Sequence, residues 1–278
     1  IWDRRQILYL FAYYLLFFIP FFCAGSFIAL TFTVYANKAH RLYFYNMTGS
    51  GLGTAMIVAL MYGNSPTTLL LIISGIAFLA ALMLGFITSR QKAAITLVSA
   101  IICFFTFSPF GPFALEINIS QHKSLIYCSA LPHAKKLAIK YSPLARLDCI
   151  YAPSMAGRYF PGLSIAYQGY LPDQVLIISD GDSISAVNRF EHLSDLACYD
   201  YMTSAIPYHL ISRPHVCIIG AGGGSDVAQA LALGARKVTA VEMNRQVIDL
   251  VRGRFNEFAS GLYKRKDCLL YTSPSPRD

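Results

Sequence analysis

The sequence predicts a chain of two kinds of structure: an N-terminal transmembrane α-helical bundle and a C-terminal α/β region preceded by a small antiparallel β region. Three observations predict it. Hydrophobic residues make up 55% of the chain against 14% charged, an apolar excess unusual for a soluble protein. The excess is confined to the first part, since residues 7–115 hold long uncharged runs and only four Lys or Arg. After Glu116 charges recur at regular intervals, and from His215 an apolar run, a glycine-rich turn and a helix-forming run follow one another. The organisation read from this is 1–115 membrane domain, 116–214 β-rich lead region, 215–267 first half of a parallel α/β domain, and 268–278 a terminal tail.

About four apolar segments are expected in the membrane half. Ile7 to Tyr35 is uncharged and longer than the roughly 20 helical residues that cross a hydrocarbon core, with Pro20 and Gly25 as kink points. The others run from Tyr45 to Tyr62, Thr67 to Thr88, and Ala94 to Phe110, the last ended by Pro109, Gly111 and Pro112. In the second, Gly49 and Gly53 fall on one helix face, a small-residue spacing that lets helices pack closely.

The net charge of +8 does not point to nucleic acid, because the basic residues are scattered instead of forming a stripe. Arg4, Arg5, Lys38, Arg41, Arg90 and Lys92 flank membrane segments, and the partner they imply is the lipid bilayer of a cell (inner) membrane. Lys38 and Arg41 share a side with Arg90 and Lys92, so a full fourth crossing would place the C-terminal region outside; a cytosolic cofactor requires it inside, in the cytoplasm. The seven cysteines form no C-x-x-C pair and the six histidines no paired spacing, which reads as buried thiols in a reducing compartment and no metal.

The chain begins at Ile1 and closes on Leu269-Leu270-Tyr271-Thr272-Ser273-Pro274-Ser275-Pro276-Arg277-Asp278. That close departs from the preceding rhythm and resembles translated sequencing-adapter read-through at the end of a fragment. It is set apart from the fold, and the natural protein is expected to extend at both ends.

In the lead region the runs Ala145 to Tyr151, Leu163 to Tyr167 and Gln174 to Ile178, punctuated by Pro153, Gly157, Pro161, Gly162, Gly169 and Pro172, read as strands of an antiparallel sheet. A more helical stretch follows from Phe190 to Tyr208.

The chemistry-bearing pattern comes next. His215 to Ile219 reads as a strand, Gly220-Ala221-Gly222-Gly223-Gly224-Ser225-Asp226 as a loop, and Val227 to Leu233 as a helix. Strand, glycine turn and helix together predict a Rossmann-like unit, truncated after its first half. Glycines allow a sharp turn and close approach of a cofactor, and free N–H groups at the helix start favour electron-rich groups. A second strand, Lys237 to Val241, ends in Glu242, whose carboxylate can accept hydrogen bonds from both hydroxyls of a ribose. Met243 beside it is placed either against an adenine face or as an apolar cap on the sheet. Ser225 stands where a dinucleotide fingerprint has its last glycine, and Gly220, Gly222 and Gly224 instead resemble motif one of class I S-adenosylmethionine-dependent transferases.

The order of parts resembles the spermidine synthase-like (polyamine aminopropyltransferase) family, in the form fused to an N-terminal multi-span membrane domain. The resemblance runs from Tyr141 to about Asp267, through Asp180-Gly181, Tyr199-Asp200-Tyr201-Met202, Ile218 to Gly224, and Val238 to Met243. It implies decarboxylated S-adenosylmethionine or S-adenosylmethionine as co-substrate, lined by Gly220, Gly222 and Gly224 and held by Glu242. It further implies a small-molecule amine or other acceptor, with Asp180 and Tyr199 as candidate substrate residues. The chain departs from the family at Gly223, where the family has aspartate, at Ile184, where it has glutamine, and at Tyr201, where it has glutamate. An alkyl ammonium must lose a proton before attacking the carbon beside a sulfonium, and the family's main carboxylate for that step would lie after residue 278, so the catalytic residue is unknown. Asp182 and Asp200 are further candidate acids, Asp180 also fits a turn that bonds its own backbone, and Asp226 is expected to cap its helix.

Three functions stay open: an aminopropyl transferase, a methyltransferase acting on a membrane-delivered substrate, and a non-catalytic adenosyl-ligand sensor or transport-coupled module. Half a Rossmann unit is expected to bind without turnover.

Overall fold

The computed structural model describes residues 4–108, 111–112, 114, 118–155 and 159–272. The chain divides into two compact units, one running to Ala59 and the other from Leu60 onward. The composition boundary expected near residue 116 does not coincide with this division, which follows packing.

The first unit holds α1 (Arg4–Val34) and most of α2 (Ala39–Leu60). Pro20 sits inside α1 without ending it. Tyr14, Phe18 and Phe22, four residues apart, stack down one face with ring centroids 6.1 and 5.4 Å apart. The large apolar side chains of α1 from Ile7 to Val34 are exposed. Among the described residues, three helices are long and apolar enough to cross a membrane, α1 and two in the second unit. The second of the four expected segments is a helix but not one of these, because Tyr43, Tyr45, Asn46 and its glycines dilute its hydropathy. A Cβ placed on Gly49 or Gly53 meets no atom within 4 Å, so the close packing expected of that face is not formed within this unit.

In the second unit α3 (Pro66–Thr88) opens on Ser65, whose hydroxyl accepts from the Thr68 N–H at 3.2 Å, with Pro66 in the first turn. A single extended residue, Ser89, ends α3 and begins α4 (Arg90–Phe107). The two helices therefore run antiparallel, and a side chain at Gly85 would overlap the Ala93 backbone. Between them lies an apolar groove of about 610 Å³. Pro109 and Phe110, expected to end the fourth segment, lie outside the described residues, as does Gly157.

After α5 (Ser124–Ala130) come four antiparallel strands in sequence order, β1 (Lys135–Tyr141), β2 (Arg146–Tyr151), β3 (Gln174–Ser179) and β4 (Ser183–Asn188). Two of the three expected strands are present. Leu163 to Tyr167 is a loop instead, with one bridge from Leu163 to Met202, because the Tyr167 N–H turns back to the Ser164 carbonyl at 3.1 Å. Alternation along the strands serves two cores. Leu147, Cys149, Val175, Ile177 and Val187 face the parallel part of the molecule, while Ile150, Leu176, Ile178 and Ala186 pack on Leu125 and Cys128 of α5. Asp148 is fully buried on β2 and is held by Arg146 at 2.8 Å and Lys136 at 3.2 Å.

Short helical turns (193–205) and α6 (Ile206–Leu210) lead into β5 (His215–Ile219), α7 (Ser225–Ala232), β6 (Lys237–Glu242), α8 (Arg245–Asp249) and β7 (Cys268–Thr272). The three strands form a parallel sheet in the order β5-β6-β7. Residues 268–272, set apart with the tail by their sequence, pair in register with β6 from Val238↔Cys268 to Glu242↔Thr272. Residues 273–278 lie outside the described residues. Val227, Ala228, Ala230 and Leu231 of α7 and Val238 and Ala240 of β6 join Leu196 and Tyr199 in the larger core.

Candidate functional site

The loop after β5 is folded by its glycines and by three neighbouring segments. Gly220, Gly222 and Gly224 take φ values of +82°, +53° and +93°, backbone that residues with a Cβ rarely adopt. Gly223 has an ordinary φ and is required for a different reason. A Cβ there would lie 2.6 Å from the Ala186 carbonyl carbon and 3.0 Å from the Val187 nitrogen, so β4 presses directly on the loop. An aspartate at this position would therefore overlap β4 as the chain is folded here. Beside Gly220 there is open space: a Cβ placed on it meets nothing within 4 Å.

Every N–H from Gly220 to Gly224 has a protein acceptor. Gly220 and Ala221 donate to the Val241 carbonyl at 2.8 and 3.0 Å, and Gly224 donates to that of Ala221 at 2.9 Å. Gly222 donates to Glu242 Oε2 at 2.9 Å, and Gly223 to Ser185 Oγ at 2.7 Å. The loop's own N–H groups are therefore engaged within the protein, and the free groups expected at the helix start belong to the first turn of α7, from Ser225 on. The reason is that β4 and the end of β6 both approach the loop closely enough to accept.

Glu242 ends β6 half-buried, its Oε1 accepting from the Asn244 N–H at 2.7 Å. The carboxylate is thus fixed by two backbone amides, one from the loop and one from the turn after β6. A carboxylate offers about four acceptor positions, so two remain for the hydroxyls of a ribose. Met243 is 66% exposed beside it and available to an apolar ring face. From below, Tyr263 donates to the Gly222 carbonyl at 2.7 Å. Burial, and secondly the Glu242 charge, push its phenol far above the ordinary value, so Tyr263 remains a donor at neutral pH.

The start of α7 rests on a buried polar network. Ser225 Oγ donates to the Ala186 carbonyl at 2.9 Å, and Asn188 Nδ2 donates to Ser225 Oγ at 3.1 Å and to the Tyr199 hydroxyl at 2.6 Å. Gln174 Nε2 donates to Asn188 Oδ1 at 2.6 Å. Tyr199 is 1% exposed, with Phe160 edge-on to its ring, and desolvation raises its phenol. The structure places Tyr199 behind the loop, in the core. Asp226 stands exposed in the first turn of α7, where its charge suits the helix dipole. It is not the cap it was expected to be, since the capping position is Gly224.

The candidate acids of the lead region are not gathered at the loop. Asp180 (φ +49°) makes the β3–β4 turn, with Oδ1 accepting from the Arg146 N–H at 3.0 Å, and it lines a separate cavity of about 230 Å³ with Asn64, Tyr141 and Arg146. Asp182 accepts from Ser124, which holds its carboxyl below the usual range. Asp200 pairs with His209 at 2.6 Å. Ile184 packs into the apolar cluster under α5, on the face of β4 opposite Ser185, and Tyr201 is half-exposed with its ring 5.0 Å from that of Tyr167.

Sequence reasoning missed Ser185, Asn188 and Tyr263. Asp180-Gly181 between two alternating runs was a signal for the hairpin that brings β4 and Ser185 to the loop. Nothing local marks Tyr263, which reaches Gly222 from 41 residues away.

No family model and no curated protein sequence matches the chain. Among solved structures it is similar to a spermidine synthase from Thermotoga maritima, at 17% identity and a TM-score of 0.34, over 50% of this chain and 41% of that one. It is also similar to a spermidine synthase in complex with the transition state analogue AdoDATO, at 17% identity and a TM-score of 0.31, over 50% and 40%. The chain thus spans about two fifths of the length of each, and scores of this size leave the functional reading to the site itself.

Proposed function

We propose that the chain binds S-adenosylmethionine or its decarboxylated form at the Gly220–Gly224 loop of a Rossmann-like domain, within a membrane-anchored, spermidine synthase-like transferase. The observation that carries this reading is the state of the loop: its N–H groups are spent on Val241, Ala221, Glu242 and Ser185. A dinucleotide's pyrophosphate would be left with the helix start alone as its donor, whereas an adenosyl sulfonium has no phosphate, carries a positive charge and needs no donor from the loop. Glu242, fixed by two amides with acceptor positions to spare, suits its ribose, and the open space at Gly220 leaves room for approach.

The transferred group is a separate matter. Ile184 and Tyr201 match positions where the resembling family has glutamine and glutamate, and neither supplies a carboxylate to deprotonate an ammonium. That favours, as a second reading, methyl transfer to an acceptor delivered by the membrane; an adenosyl-ligand sensor without turnover is the third.

Calorimetry on the full chain in detergent separates these readings. S-adenosylmethionine or its decarboxylated form should bind, NAD should not, and Glu242→Gln, which turns an acceptor into a donor facing an N–H, should weaken binding about 100-fold, the loss of two charge-assisted bonds. Equal affinity for NAD, or unchanged affinity in Glu242→Gln, would sink the ligand assignment. Labelled putrescine with decarboxylated co-substrate then tests aminopropyl transfer.

A further inference from the structure

The Glu242 carboxylate is tied, bond by bond, to the loop that leads into α3. Its Oε1 accepts from the Asn244 N–H, and Asn244 Oδ1 accepts from the Gln246 N–H at 3.0 Å, capping α8. Gln246 Nε2 reaches the Tyr141 carbonyl at 2.7 Å, across 105 residues of sequence. The same carbonyl accepts from the Gly63 N–H at 3.3 Å. One backbone oxygen at the end of β1 therefore holds both the turn that aims Glu242 and the loop at the foot of an apolar helix.

The second observation concerns the other end of the Gln246 amide. Its Oε1 is buried without a hydrogen-bond partner among the described residues. A buried unpaired acceptor costs stability, so for stability alone an apolar residue of the same length serves as well or better. What glutamine adds is a single directed bond to Tyr141.

We propose that Gln246 is a positioning residue for Glu242, and that through the Tyr141 carbonyl it couples the loop at residues 61–65 to the affinity of the ligand site. The coupling to affinity rests on the ligand reading above; the mechanical link does not. Release of the Gln246–Tyr141 bond frees the start of α8, then the Asn244 amide, and then the carboxylate that the amide orients. A shift of the loop before α3 acts on the same oxygen from the other side.

The test uses the full chain in detergent with S-adenosylmethionine as the probe. Gln246→Met should lower affinity roughly tenfold, within the range of coupled-network substitutions, while the melting temperature stays unchanged or rises. Amide exchange at Asn244 and Gly222 should accelerate, while that of β3 should not. Gln246→Glu is ionised at pH 8 and has no donor for the Tyr141 carbonyl, so at that pH its affinity should be no higher than that of Gln246→Met. Gly63→Ala, which displaces the N–H from its φ of +89°, should add little on top of Gln246→Met, since both act on one oxygen. Unchanged affinity in Gln246→Met, a matching fall in melting temperature, or fully additive effects would overturn the proposal. If the unsubstituted chain binds no adenosyl ligand, the functional reading fails; unchanged exchange at Asn244 and Gly222 would independently refute the positioning role.

Discussion

Gly223→Ala is the sharpest test of the loop geometry, because a single methyl is asked to enter a space that β4 already fills. The added Cβ would lie 2.6 Å from the Ala186 carbonyl carbon and 3.0 Å from the Val187 nitrogen, and both are backbone atoms of a strand paired to β3. Backbone cannot rotate away as a side chain can, so either β4 or the loop must move. Overpacking of this kind costs about 1–3 kcal/mol. A loop displaced from β4 also loses the Gly223–Ser185 bond, worth about 1 kcal/mol. The sum, about 2–4 kcal/mol, corresponds to a fall of roughly 5–12 °C in melting temperature for a folded unit of this size. Gly220→Ala is the matched control. Its Cβ meets nothing, and the cost is that of φ +82° alone, about 1–2 kcal/mol. Thermal unfolding in detergent should therefore rank Gly223→Ala as the more destabilised, while Gly220→Ala, whose methyl enters the ligand's approach, should lose the more affinity. The reverse ranking in melting temperature would refute the close approach of β4.

Two further outcomes follow from the same neighbourhood. Ser185→Ala leaves the Gly223 N–H without its acceptor and should cost about 1–3 kcal/mol in denaturant unfolding; a loss under 0.5 kcal/mol would mean that water replaces the hydroxyl. Burial pushes the Cys149, Cys198 and Cys268 thiols up to about 11, whereas Cys217 is exposed on β5. At pH 8 about one in 1,000 of the buried groups is ionised, so a maleimide should label Cys217 in minutes and the other three only on unfolding, as read by peptide mass spectrometry. In cells, an impermeant maleimide should reach Cys217 only after the membrane is opened.

The parts legible in the sequence were those whose signal is local. α3 is uncharged over its whole length, begins at Pro66 after a serine cap, and was read to within one residue. The strand, loop and helix from His215 to Ala232 were legible because period, glycines and helix formers succeed one another without a break. β1 was not, since Lys135-Lys136 and Lys140 hide its alternation and its burial comes from the β2 ladder. The site divides the same way. Glu242 follows from its place at the end of a strand, but the partners that satisfy the loop come from β4 and from Tyr263, and no local pattern encodes a contact 38 or 41 residues away. For that reason the sequence does not reveal that the loop's N–H groups are all engaged within the protein.

That closed loop has a bearing on which side of a membrane the site faces. Ser89 alone joins α3 to α4, so the start of α3 and the end of α4 lie at one end of the hairpin, and Arg90 and Lys92 at the other. The Gly63–Tyr141 bond puts the α/β region at the α3 start, opposite that basic pair. Read by the positive-inside rule alone, Arg90 and Lys92 would be cytoplasmic and Glu242 external. The rule weighs Lys and Arg within roughly 20 residues of a span end. Within the second unit that bias is thin, for Lys123 stands on the side of the α/β region against Arg90 and Lys92 on the other. The proposed function makes the opposite demand, because an adenosyl sulfonium would be supplied from the cytosol. An impermeant maleimide decides between the two: labelling of Cys217, exposed on β5, in intact cells would place the α/β region outside and remove the supply on which the proposed function depends.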